Sequence, residues 1–121
     1  MIFIINRIQA LKFAFCGTAQ AFKHEVHLKI HALIAVLAIG GGFYFFIEAV
    51  EWFMILTAIT LVICLEMINT ALEKLCDKLA PERDQTIKFV KDVTAGAVFV
   101  ACIFAIIVGC IVFLPHVCSM P

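Results

Sequence analysis

Residues 93–114 read VTAGAVFVACIFAIIVGCIVFL and carry no charged side chain. At about 1.5 Å rise per residue a helix over this run extends roughly 33 Å, enough to cross a hydrocarbon core about 30 Å thick. Two further runs, 30–47 and 52–71, meet the same requirement. Only a tight link around Glu48 and Glu51 separates them. A polar stretch from Glu73 to Asp92, with Pro81 and the triplet Glu82-Arg83-Asp84, lies between the second run and the third. Ahead of all three, Ile4, Ile8, Leu11, Phe15 and Phe22 recur at helical spacing, with Asn6, Gln9, Lys12, Gln20 and Lys23 over much of the other side. That pattern predicts an amphipathic surface helix over 1–24, lying in the membrane interface. The expected fold is an all-α membrane protein, one domain over 1–121, with a surface helix and three transmembrane helices.

Composition agrees. The 121 residues are 64% hydrophobic and 15% charged, with a mean hydropathy of +1.12. A soluble domain is nearer half apolar and a quarter charged, so a soluble domain and a disordered tail are both excluded. The net charge of +0 offers no field to a polyanion, which excludes a nucleic-acid partner. Six cysteines, Cys16, Cys64, Cys76, Cys102, Cys110 and Cys118, are scattered through mostly apolar surroundings with no CxxC pair. They read as small buried hydrophobes and not as a disulfide framework or zinc site. Met1–Ile5 is apolar before any positive charge occurs, so no cleaved signal peptide is expected.

The positive charges fix an orientation. Arg7, Lys12, Lys23 and Lys29 precede the first span, and Lys74, Lys78, Arg83, Lys88 and Lys91 lie between the second and third. The short link and the C-terminal tail have none. By the positive-inside rule the N-terminus and the 73–92 loop are cytoplasmic, with the acidic link and His116 on the far side. Ala97, Ala101, Ala105 and Gly109 form a small-residue stripe on the third span, and Ala35, Ala38 and Gly42 one on the first. Such stripes let helices approach closely. Gly40-Gly41-Gly42, with no following lysine, reads as a bend or close contact and not as a phosphate loop.

The polar residues of the second span carry the chemistry. Glu66, Asn69, Glu73 and Asp77 fall at i, i+3, i+7 and i+11, on one helix face. A carboxyl group within a span costs several kcal/mol unless paired or watered, which makes Glu66 a functional candidate. Roughly 20 Å from Trp52 along the helix, it reaches toward the cytoplasmic headgroups, where a base can act on a lipid hydroxyl. Carboxylates nearer water can hold magnesium with a nucleotide, since that ion takes a few carboxylates plus phosphate oxygens and water. Lys91 can meet phosphates, and Glu25 can supply a further ligand. Each residue has a plainer reading beside this one: an interhelical hydrogen bond for Glu66 or Asn69, a solvated helix end for Glu73 and Asp77, a helix N-terminal charge for Asp92. His27 and His31 share a face at i, i+4 but lack an HExxH pattern, and interfacial anchoring is expected of them.

At these residues the chain resembles the prokaryotic integral-membrane diacylglycerol kinase family, which includes undecaprenol kinases. The matching blocks are Glu66-x-x-Asn69-Thr70-Ala71-x-Glu73-x-x-x-Asp77 and Lys91-Asp92-x-x-Ala95-Gly96-Ala97-Val98, joined by Phe13-Ala14-Phe15-x-Gly17 and Glu25-x-x-x-Lys29-Ile30-His31. The resemblance implies a homotrimer in the bacterial cytoplasmic (inner) membrane, with active sites shared between subunits. It implies transfer of the γ-phosphoryl of MgATP to a lipid alcohol: diacylglycerol as the main reading, undecaprenol as the alternative. Carried over, Glu66 is the general base and contacts substrate together with Phe15. Glu25 and Glu73 bind the metal, while Phe13, Asn69, Asp77, Glu82, Arg83, Asp84, Lys91 and Asp92 surround the nucleotide. The chain departs from the family at Lys29, where arginine is usual, and at Asp84, where histidine is common.

Two other function classes fit a small apolar chain. One is an oligomeric proton or ion pathway with Glu66 as relay, which leaves Asn69, Glu73, Asp77, Lys91 and Asp92 without a role. The other is a membrane scaffold assembled through the third span, which would tolerate Glu66→Gln and Glu73→Gln.

Overall fold

The computed structural model describes residues 1–79 and 84–120, and over these the chain is helical almost throughout. Helix α1 covers Ile2–His24, α2 Val26–Tyr44, α3 Ala49–Leu79 and α4 Gln85–Cys118. All four are long and apolar enough to cross a membrane. A helix is the form such segments must take, because hydrocarbon offers peptide groups no partner and only internal hydrogen bonding satisfies them. Helix α1 meets that measure alongside the three expected spans, and none of its residues is buried within the chain.

The helices overrun the apolar stretches that announce them. The polar residues flanking the second and third spans are good helix formers, so α3 continues through Lys78 and α4 begins well before Val93. Most of the loop expected over 73–92 is therefore helix, with α3 ending at Leu79 and α4 starting at Gln85. Asp84 starts α4 as its N-cap: Oδ1 accepts from the backbone N–H of Thr86 at 2.9 Å and of Ile87 at 3.1 Å. At the other end of α3, Glu51 Oε1 accepts from the backbone N–H of Glu48 at 3.1 Å, the return half of a capping box.

Helix α2 stops at Tyr44, short of the full 30–47 run. The backbone N–H of Ile47 donates to Gly42 O at 3.2 Å and that of Phe46 to Phe43 O at 3.4 Å, closing the helix in a Schellman arrangement. Phe46 takes the left-handed position with φ 52°, a place usually given to glycine and costing other residues about 1–2 kcal/mol. The turn folds Ile47 back into the core. There Ile47, Ile55, Ala58, Val108 and Val112 cluster, with Ala38, Phe45, Trp52, Ala105 and Phe113 packed around them.

Helix α3 is central: it packs antiparallel to α4 and also against α2, which meets α4 at Gly41 and Phe113. Contacts at both ends fix that arrangement: Glu51 Oε2 lies 3.4 Å from His116 Nε2 at one end, and Asp77 meets Lys91 at the other. The small-residue stripes work inside the chain. Ala101 and Ala35 are buried, and Ala105 and Ala38 border the core. Around the α2–α3 link an aromatic group gathers: Phe43 on Trp52 at 4.8 Å, Tyr44 on Phe45 at 4.9 Å, and Phe45 stacked on His116 at 5.5 Å.

The glycine run makes the close approach expected of it. A Cβ on Gly42 would lie 2.6 Å from the Trp52 ring, and one on Gly41 3.1 Å from Phe113, while Gly40 faces open space. Gly42→Ala should therefore cost about 1–3 kcal/mol through forced displacement of the indole, and Gly40→Ala should be neutral or slightly stabilising. Denaturant titration of detergent-purified variants checks this; equal midpoints for the two would show that the α2–α3 contact yields freely.

Candidate active site

The polar face of α3 runs from buried to exposed as the helix leaves the apolar core. Glu66, Asn69 and Thr70 are only 5–7% exposed, Glu73 is half-buried, and Asp77 is exposed. One helix thus carries its carboxylates through a gradient of surroundings. Asn69 Nδ2 donates to Glu73 Oε1 at 3.3 Å, one turn apart. Farther out, Lys91 Nζ donates to Asp77 Oδ1 at 2.5 Å, which ties α4 to α3. Asn69, Glu73, Asp77 and Lys91 therefore form one column along the α3–α4 contact.

No side-chain hydrogen bond or ion pair among the described residues joins the other expected site residues to this column. Asp92 is exposed and paired with Lys88 at 2.7 Å, one turn back on α4. The Asp84 carboxylate is engaged in capping α4. Glu25 is the single extended residue between α1 and α2, with φ −101° and ψ 120°, and is half-buried. Phe13 and Phe15 are exposed on α1. Glu82 and Arg83 lie outside the described residues.

The residue that sequence reasoning misplaced is His31. Far from anchoring at an interface, it turns inward from α2, and its Nε2 lies 3.7 Å from Glu66 Oε2. His27, one turn earlier, is exposed. The available signal was the placement of His31 after buried Leu28 and before buried Ala35, on the inner face of α2. Helical spacing alone put both histidines on one side and did not show how far that side rotates inward. His31 is also the polar lining residue of an otherwise apolar cavity of about 640 Å³ between α2, α3 and α4, walled by Ala35, Ala58, Val62, Cys102 and Phe113 among others.

Two acceptors in the column lack a protein partner: Asn69 Oδ1 and Thr70 Oγ1 are buried without a hydrogen bond among the described residues. A buried polar atom left unpaired costs about 1–3 kcal/mol, so Asn69 Oδ1 is suited to a donor from a bound group. Among the described residues no three His, Cys, Asp or Glu side chains converge on one point. The donor chemistry still suits magnesium, which needs one or two carboxylates beside phosphate oxygens and water.

Lys88 and Lys91 precede the apolar run that starts at Val93, and both ammonium groups are held above the ordinary lysine value. The leading cause is the hydrogen bond to Asp92 for Lys88 and to Asp77 for Lys91. For a raised ammonium pKa the tie is fully present at neutral pH and fades only as pH climbs past the ordinary value of 10.5 and through the raised one. Asp77→Asn removes the main cause, so Lys91 should acylate faster at about pH 9 while Lys88 is unchanged. Mass-spectrometric labelling reads this directly, and equal Lys91 labelling in both proteins would refute the α3–α4 tie.

Comparison with known proteins fits this arrangement. The sequence profile of the family described as prokaryotic diacylglycerol kinase matches residues 12–113. A Synechocystis protein named diacylglycerol kinase is 32% identical over 116 residues, covering 95% of this chain and 66% of its own length. A Bacillus subtilis protein named undecaprenol kinase is 31% identical over 99 residues, 82% of this chain and 80% of the relative. A Haemophilus influenzae diacylglycerol kinase is 30% identical over 111 residues, 91% of this chain and 94% of the relative. The chain thus spans about two thirds of the Synechocystis protein and most of the other two. The profile match takes in Glu25, the α3 column, Lys91 and Asp92, all within the stretch where structure and sequence pattern coincide. On that breadth of likeness, the chain belongs to the prokaryotic diacylglycerol kinase family.

Proposed function

We propose that this chain is an ATP-dependent lipid kinase that transfers the γ-phosphoryl of MgATP to the hydroxyl of diacylglycerol, giving phosphatidic acid and ADP. The observation that carries the reading is the polar column between α3 and α4: a buried Glu66, 3.7 Å from the cavity-lining His31, with Asn69, Glu73 and Asp77 leading outward along α3 to Lys91 of α4. That sequence of environments suits a reaction joining an apolar alcohol to a soluble phosphate donor. Undecaprenol is the second substrate reading, favoured by the Bacillus relative of that name.

Phosphoryl transfer asks the protein for positioning and charge neutralisation more than for covalent chemistry. Glu66 accepts the proton of the lipid hydroxyl as that oxygen bonds to the γ-phosphorus and the bond to ADP breaks. Glu25 and Glu73 are the residues to hold magnesium, which supplies charge neutralisation at the phosphate oxygens when bound. Asn69 offers its unpaired Oδ1 to the bound nucleotide or its hydrating water. Lys91, already directed by Asp77, faces the phosphates, with Asp92 and the 82–84 segment toward the nucleoside. Phe13 and Phe15, exposed on α1, border the nucleotide and the lipid respectively if α1 lies as a surface helix.

A homotrimer with shared sites is part of this proposal. Large apolar side chains such as Phe53, Phe99 and Ile106 remain exposed on the bundle, a surface suited to lipid or to neighbouring copies. A cytoplasmic side for the N-terminus and for the connection between α3 and α4 is part of the proposal, supported by the positive charges of the sequence before the first span and between the second and third. The pairing of Glu51 with His116 at the opposite end supports one side for the link and the C-terminus.

Detergent-purified protein should transfer labelled phosphate from ATP to diacylglycerol, and Glu66→Gln should lose about 10²–10⁴-fold in kcat. Undecaprenol offered in parallel names the preferred lipid. Glu73→Gln should raise the magnesium concentration needed for half-maximal rate. No transfer to either lipid by folded protein would sink the kinase reading and favour a proton pathway or scaffold.

A further inference from the structure

Glu66 sits on α3 with its side chain 7% accessible, beside His31, which lines an otherwise apolar cavity. A carboxylate so placed must be oriented, since a base that samples several rotamers spends little time aimed at its proton. The groups facing it come from two neighbouring helices. Cys102 on α4 lies within its electrostatic reach, and His31 on α2 stands 3.7 Å from Oε2. Among the described residues His31 is the one cation-capable side chain within 4.0 Å of that carboxylate. Lys29 and His27, its neighbours on α2, are exposed and form no pair with it.

We propose that His31 is a positioning residue for Glu66: its Nε2–H holds Oε2 and leaves Oε1 directed at the lipid hydroxyl. The proposal rests on the reading of Glu66 as base. At 3.7 Å the contact is too long for a hydrogen bond, and a closure of roughly 0.8 Å makes one, a tightening common when substrate arrives. The geometry suits that closure. His31 comes from a different helix than Glu66, so the bond spans the α2–α3 seam beside the cavity that His31 lines.

Glutamine and asparagine in place of His31 separate positioning from bulk polarity. The Gln amide nitrogen reaches about as far as Nε2, whereas the Asn amide reaches only as far as Nδ1. His31→Gln should keep kcat within about threefold of wild type. His31→Asn should lose about 10–100-fold in kcat, the scale of a 1 Å misplacement, with KM for MgATP unchanged in both. Unfolding midpoints measured alongside identify any variant that fails to fold, and the Gln variant against wild type then decides. Equal rates for the Asn variant and wild type, or a Gln variant as slow as the Asn variant, would overturn the positioning role. Glu66→Gln is the companion control. If it keeps full transfer, the base itself is misassigned; if it is inactive while both His31 variants run at the wild-type rate, only the positioning inference fails.

Discussion

Hydrocarbon has no hydrogen-bond partner to lend, and the architecture follows from that deficit. Every peptide group must be satisfied within its own helix, so the described residues are helical from Ile2 nearly to the end, apart from short breaks where caps satisfy the helix ends. Single residues make those breaks: extended Glu25 between α1 and α2, left-handed Phe46 after α2, and the Asp84 side chain at the start of α4. The same deficit governs side chains. Glu66 is buried with an imidazole of α2 standing 3.7 Å away, and its own helix soon reaches surroundings where Glu73 is half-buried and Asp77 exposed.

The division of labour on α3 is a matter of depth. A helix rises by a fixed amount per residue, so side chains chosen from one face meet a graded series of environments. In the proposed reaction the apolar reactant and the charged one come from opposite ends of that series. A soluble kinase wraps a glycine-rich loop around phosphates; the proposed site draws instead on side chains of two helices, joined by the Asp77–Lys91 pair.

Much of this was legible in the sequence. The three apolar runs, the shared face of Glu66, Asn69, Glu73 and Asp77, and the close packing at Gly42 all follow from spacing. The helix ends were less so. Glu73, Lys74 and Lys78 are polar and mark the edge of a span, yet they favour helix, so hydropathy cannot tell where α3 stops. Asp84 was expected beside the nucleotide, and its engagement as a cap depends on a backbone turn that no periodicity records. His31 was missed because an imidazole at a span boundary suits water and a buried carboxylate equally well, and only the rotation of α2 about its axis chooses. The small-residue stripes pointed correctly to close contact but did not say that the partner helix belongs to the same chain.

The aromatic group around the α2–α3 link gives the molecule a datum. Tyr and Trp favour the boundary between water and hydrocarbon, and beside the link Phe43 packs on Trp52 and Phe45 on Tyr44 and His116. From Trp52 to Glu66 the backbone fixes a length of roughly 21 Å. The membrane has no such fixed length: its hydrocarbon thickness varies by several ångströms with acyl chain and sterol content. On the proposed reading of Glu66 as base, its distance from the α2–α3 link is set by the helix, while a lipid's hydroxyl rides with the opposite face of the bilayer. Whether the two meet is a property of protein and bilayer together, and the host membrane's thickness enters the geometry of the site as directly as any side chain.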